Sequence, residues 1–239
     1  MHGWLRSTQD TTSPQSLRQF ISQLSETERW SIEILKSCSD EGRYIAASIC
    51  EGLAIAISNS SYKEGKGGFA WLFEDKSERN RLVGCNRVPG AEADQSAHRS
   101  ELVGLLGIVT MVGALCNYHS ISEGQILVGC DNISALKVAF EENSELSMIF
   151  AIRHAVGKSN IKWDMHHVRG HQDSTKTVQQ LSRYKKLNCE MDELAKSVII
   201  QECQIPVNKM AGEPWSICTD KGKIIKHFQA RIYFTIYIE

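Results

Sequence analysis

Two periodicities divide the middle of the chain. Leu53-Ala54-Ile55-Ala56-Ile57-Ser58-Asn59 and Phe69-Ala70-Trp71-Leu72-Phe73 are apolar runs of strand length. The glycines of Gly65-Lys66-Gly67-Gly68 between them supply the positive φ values that a hairpin turn demands. A third strand is predicted from Arg81 to Val88, stopped by Pro89-Gly90. The period then changes. Leu102, Leu105, Leu106, Val109, Val112 and Leu115 form one helical stripe, with Asp94 and Ser96 as available N-caps. Ile126-Leu127-Val128-Gly129-Cys130 is a strand-length run with almost no polar alternation, and it ends abruptly in Asp131. Residues 133–158 read as helices, Ile161 to Val168 as another strand, and Arg169-Gly170-His171-Gln172-Asp173 as a polar loop. A last helix runs from about Asn188 to Ile200, burying Met191, Leu194, Ala195 and Val198. A strand apolar on both faces belongs in a parallel or mixed sheet covered by helices on both sides, so the fold class is α/β. In such sheets ligands gather at the carboxyl ends of strands, where Asp131 stands.

The flanks read differently. Residues 1–52 are expected to form a helical extension or linker, with one helix starting at Ser13-Pro14 and carrying Leu17, Phe20, Ile21 and Leu24. A second helical piece is predicted from Glu26 to Lys36. The central domain then spans 53–200, and 201–239 is a C-terminal extension. Its closing run, Arg231 to Ile238, is strongly β-prone and reads as an added strand or an adhesive tail.

Composition narrows the class. Hydrophobic residues make up 42% of the 239 and charged residues 23%, the balance of a folded globular protein rather than a disordered one. The net charge of −1 provides no global attraction for nucleic acid, so any such surface is a local patch. Eight cysteines show no C-x-x-C pair and no zinc-type spacing, and Cys50, Cys116 and Cys130 sit in apolar runs. This pattern favours reduced thiols and an intracellular setting, cytoplasmic or nuclear. No secretory signal is visible at the N-terminus, and the apolar runs read as too short to span a bilayer, so no membrane partner is expected.

Each polar position has an ordinary explanation as well as a chemical one. Asp131 could cap the helix that follows it. Glu101, four residues before Leu105, could complement a helix dipole. Asn59 suits a turn, and His171 could be an exposed loop residue. What raises the chemical reading is their order along the chain.

That order, β-β-β-α-β-α-β-α, with Ala97-His98-Arg99-Ser100-Glu101-Leu102-Val103-Gly104, Ile126 to Asn132, Val168-Arg169-Gly170-His171-Gln172-Asp173 and Asn188 to Lys196, resembles the type 1 ribonuclease H domain of retrotransposon polyproteins. The resemblance implies a ribonuclease H-like fold, a mixed five-stranded sheet flanked by helices on both faces. It implies an endonuclease that hydrolyses the RNA strand of RNA–DNA hybrids with two Mg²⁺ ions, Mn²⁺ being able to substitute. Two such ions on the order of 4 Å apart clamp the attacking and leaving oxygens of a phosphodiester. Glu101, Asp131 and Asp192 would be catalytic metal ligands, and His171 would assist with proton transfer or product release. Asn59 would be the fourth metal ligand, standing where the family carries Asp. A neutral amide offers one oxygen and no charge. Two readings therefore stand side by side: an endonuclease impaired by Asn59, or an inactive domain that retains the fold and binds nucleic acid. Neither Glu64 nor Asp75 is expected to replace the missing carboxylate. The hybrid would be held by Arg169, Lys176, Arg183, Lys185 and Lys186, while Glu141, Glu142 and Glu145 argue against a basic handle after the central strand. A reverse transcriptase in the same retroelement polyprotein is the partner that the resemblance implies.

Overall fold

The computed structural model describes residues 16–38, 40–90, 92, 95–140, 147–170 and 180–200, with the short stretches 218–219 and 222–223. Its centre is a hairpin of β2 (Ala54–Lys63) and β3 (Lys66–Glu74). The register pairs Lys63 with Lys66, so the turn is Glu64-Gly65, both at positive φ (50° and 72°). A two-residue turn of that kind matches the twist of the flanking strands. The expected turn at 65–68 is thus shorter, because Gly67 and Gly68 belong to β3. Gly68 has a packing reason. A Cβ there would lie 2.6 Å from the main-chain oxygen of Ala195, so glycine lets the last helix approach the strand.

Around the hairpin the sheet has six strands, ordered β1-β4-β3-β2-β5-β6. Here β1 is Leu35–Cys38, β4 Arg81–Arg87, β5 Gly124–Cys130 and β6 Ile161–His167. β5 runs parallel to β2 and to β6, whereas the β1, β3 and β4 pairings are antiparallel. Period-2 alternation sorts each central strand onto two faces. Ala54, Ala56, Phe69, Trp71, Phe73, Ile126, Val128 and Cys130 pack on one side with α4 (Ala97–His119). α5 (Ile133–Phe140) and α6 (Ser147–Lys158) join that layer. Ile55, Ile57, Ala70 and Leu72 meet Leu187, Met191, Ala195 and Val198 of α7 (Arg183–Ile200) on the other. Helices cover both faces of a mixed sheet, which is the α/β class expected from the sequence.

Three expectations change. The sheet has a sixth strand beyond the expected five. α1 (Leu17–Gln23) starts at its N-cap Ser16, but the next helix, α2 (Glu26–Arg29), is short, and Leu35–Cys38 is a strand rather than helix. The open edge of β4 is the reason: it pairs with β1, and Cys85 N donates to Ile34 O at 3.3 Å. Leu17, Ile21, Ile32, Ile45 and Ile49, the last two on α3 (Arg43–Cys50), enter the same core as α4. The second change concerns α4, which by length and composition could cross a membrane. Most of it is buried against the sheet and α6, the environment of a core helix. The third is Cys50, which is exposed at the end of α3, although Cys130 is buried as its apolar run suggests. His171, Lys176, the glutamates of 141–145 and the closing run 231–238 lie outside the described residues.

Candidate metal centre at the end of the sheet

β2 and β5 carry their chemistry to the same edge. Their parallel register pairs Ile57 with Gly129, so two residues further on the chains reach Asn59 and Asp131 side by side. The opposite edge of the sheet holds Glu74, paired with Ile55, and Asp75 beyond it. Asp75 accepts hydrogen bonds from Ser77, Asn80 and the Arg79 and Asn80 amides, which together hold its carboxyl below the usual range despite burial. It is a turn residue far from Asp131, as expected.

Glu101 approaches from the α4 layer. The Ser96 hydroxyl caps α4, accepting from Arg99 N at 3.1 Å, and Glu101 lies in the second turn, only 8% exposed. It meets the residues whose strand parity turns them toward α4. The Ser60 hydroxyl hydrogen-bonds its carboxylate, and Cys130 Sγ lies 3.5 Å from Oε2. The donor atoms of Glu101, Cys130 and Asp131 all lie within 4.8 Å of one another. Burial first, and then the charge of Asp131, push the Glu101 carboxyl up to about 7, and Asp192 adds to the effect. The bonds from Ser60 and Cys130 act in the other direction. Among the described residues no ion pair relieves Glu101.

Asp192 and Asn59 flank this group from the α7 side. Asp192 holds the Lys196 ammonium at 2.6 Å, one turn further along the helix. It is close enough to act on Glu101, although it lies outside the 4.8 Å group. Asn59 is 4% exposed and engaged at both ends: Oδ1 accepts from Ser60 N at 2.7 Å, and Nδ2 donates to Asn188 O at 3.2 Å. Asn188 itself is buried, and its Oδ1 has no hydrogen-bond partner. Just after β6 the backbone of Gly170 passes close to Asp131. A Cβ on Gly170 would come within 2.5 Å of Asp131 Oδ2 and would push that carboxylate aside. His167 Nε2 lies 3.0 Å from Asp131 O, while the His166 ring meets Tyr184 at a tilt, centroids 4.8 Å apart.

The structure thus brings Glu101 and Asp131 together, sets Asn59 and Asp192 beside them, and leaves His171 outside the described residues. Sequence reasoning missed Cys130, Ser60 and Gly170. For the first two the signal was available in the strand alternation of β5 and β2 carried on to their ends. Arg183 moves out of the expected basic surface: its Nε donates to Glu74 at 2.7 Å and its Nη2 to Asp75 O at 2.8 Å.

As a donor set, the buried Glu101 carboxylate and the half-buried Asp131 carboxylate suit a hard divalent cation, which prefers oxygen ligands. The amide oxygen of Asn59 and the carboxylate of Asp192 are already hydrogen-bonded, so the oxygens at hand fit one such ion better than two.

No family model and no curated protein sequence matches the chain. Solved structures do. RNase H1 LC11, isolated from compost, is 12% identical over 62% of this chain and 96% of that one, with a TM-score of 0.45. The protease-reverse transcriptase of prototype foamy virus is 17% identical over 63% of this chain and 21% of that one, with a TM-score of 0.44. RNase H1 of Halobacterium salinarum NRC-1 is 10% identical over 60% and 97%, with a TM-score of 0.40.

Proposed function

We propose that the chain is a metal-dependent phosphodiester hydrolase domain of the ribonuclease H type, directed at the RNA strand of RNA–DNA hybrids and impaired by Asn59. The observation that carries this reading is the meeting of Glu101 and Asp131 at the carboxyl end of β5, beside Asn59 and Ser60 of β2, with the Asp192 charge in reach and, among the described residues, no ion pair on Glu101. Glu101 and Asp131 would hold a divalent ion, Mg²⁺ or Mn²⁺, whose chemistry is Lewis-acid polarisation of a phosphoryl oxygen and activation of water. Asp192 and Asn59 would complete the ligand set, and His171 would assist the proton transfer. The sequence motifs support an origin in a retroelement polyprotein that includes reverse transcriptase. Arg169, Lys176, Lys185 and Lys186 would face the hybrid, Arg183 being engaged by Glu74.

A second reading has its own observation. Asn59 contributes no charge, and its two polar atoms bond to Ser60 and Asn188, which favours an impaired or inactive domain that keeps the fold. Cleavage of a labelled RNA–DNA hybrid in Mg²⁺ separates the two. Wild type is expected at or near background and Asn59→Asp well above it. Brisk wild-type cleavage would remove the second reading. A folded Asn59→Asp chain that stays silent would overturn the assignment of this centre.

A further inference from the structure

Packing explains Gly104 and Gly107 of α4 but not Gly113. A Cβ on Gly104 would lie 3.1 Å from Ser58 Cβ, and one on Gly107 would run into the Trp71 ring at 2.5 Å. A Cβ on Gly113 meets nothing within 4 Å among the described residues. Glycine is a poor residue for a helix interior, so a glycine with room around it has another reason to be there. Gly113 lines a cavity of about 800 Å³, within the size range of small-molecule sites. Leu24 and Trp30 wall it from the segment around α2, Leu106, Val109 and Ile121 from α4 and its exit, and Ala155 from α6. The rim is charged. His154 and Lys158, one turn apart on α6, stand there with Glu28 of α2, all three exposed. The Glu28 carboxylate is turned onto the start of its own helix, accepting from Ser25 Oγ at 2.6 Å and from Ser25 N at 3.3 Å. Among the described residues no carboxylate holds the Lys158 ammonium. An apolar chamber edged by an unpaired cation suits a molecule with a hydrophobic body and an anionic head.

We propose that this cavity binds a free single-chain amphiphile with an anionic head, a fatty carboxylate being the simplest, with its chain against Gly113 and its head at Lys158. The site stands about 18 Å along the α4 axis from Glu101, so it is separate from the carboxylate centre and independent of the hydrolase reading. Burial of the apolar chain supplies most of the affinity, and one exposed ion pair selects the head. The bound molecule would fasten the segment that carries Leu24 and Trp30 onto α4 and α6.

The test titrates decanoate into the full chain below its micellar concentration, followed by calorimetry, with decanol and decylammonium as head-group controls. Wild type should bind decanoate saturably at one site and decanol about two- to fivefold more weakly, the worth of an exposed ion pair. Gly113→Leu should lose decanoate binding, because its side chain occupies the chamber. That variant should melt no lower than wild type, since the space is open and leucine favours the helix. Lys158→Glu should reverse the order, so that decylammonium binds better than decanoate. If Gly113→Leu fails to fold, the exposed Lys158→Glu decides alone. No binding by folded wild type, equal affinity for decanoate and decanol, or wild-type affinity in folded Gly113→Leu overturns the proposal. So does sedimentation with phosphatidylcholine–phosphatidylserine vesicles without binding of free decanoate, which would make the partner a membrane surface.

Discussion

Two buried glutamates occupy opposite ends of the same sheet and have opposite surroundings. Glu74, 1% exposed at the end of β3, receives Arg81 and Arg183 at 2.7 Å each, and Arg81 also reaches Glu190. Its charge is neutralised by residues from β4 and α7, so the carboxylate ties the start of the last helix to the sheet. Glu101 is nearly as buried but among the described residues receives a hydroxyl and a thiol and no cation, and it faces two further carboxylates. A structural carboxylate is surrounded by cations, whereas a carboxylate that awaits one is surrounded by acids. Burial alone does not tell them apart, but the sign of the neighbours does.

The comparison breaks or holds on substitution. Glu74→Gln leaves two guanidinium groups without their shared carboxylate and is expected to cost about 3–5 kcal/mol in urea unfolding, the range for breaking a buried ion pair. Glu101→Gln should do the reverse at pH 8, because it removes a charge that the folded state disfavours. Equal losses from both would erase the distinction.

The pH profile gives the next largest effect. The Glu101 carboxyl sits at about 7 in the fold against an ordinary value of 4.5. The folded chain therefore keeps a proton that the unfolded chain releases first. The stabilisation is complete below about 4.5 and is lost as pH rises to about 7, and it amounts to on the order of 3 kcal/mol at roughly 1.4 kcal/mol per unit. In metal-free buffer, unfolding free energy should fall across that window in wild type and lose that component of the slope in Glu101→Gln. Thermal unfolding from pH 4.5 to 8 checks it. Mg²⁺ should restore stability at the upper end, because it binds the ionised form.

The smallest effect belongs to Lys196→Ala. Its ion pair with Asp192 is an i,i+4 contact with a half-exposed ammonium, so stability should change by no more than about 0.5 kcal/mol. Cation affinity at the centre should rise slightly once that competing ammonium is gone. A large stability loss would mean that the pair belongs with Glu74 rather than with Glu101.

Much of this was legible in the residues. The apolar run ending at Asp131, the stripe beginning near Glu101 and the helix carrying Asp192 bring Asp131 and Glu101 together with Asp192 in reach, because strand and helix periods fix which positions face one another. The strand β1 was not legible. Leu35–Cys38 has no alternation of its own, and only the open edge of β4 makes it a strand. Cys130 was hidden because a cysteine in an apolar run counts as a hydrophobe, and its contact with Glu101 depends on a helix almost thirty residues away. Arg183 looked like one more cation near Lys185 and Lys186, since nothing local shows that Glu74 lies across the sheet.

The central claim is that Glu101 and Asp131 form a divalent-cation centre. Direct titration with Mn²⁺, followed by electron paramagnetic resonance at pH 8, tests it without relying on catalysis. The account predicts saturable binding in wild type that is lost in Asp131→Asn and in Glu101→Gln, while Glu74→Asp still binds. Binding that survives both substitutions at the centre, or that is absent from a folded wild-type chain, would contradict it.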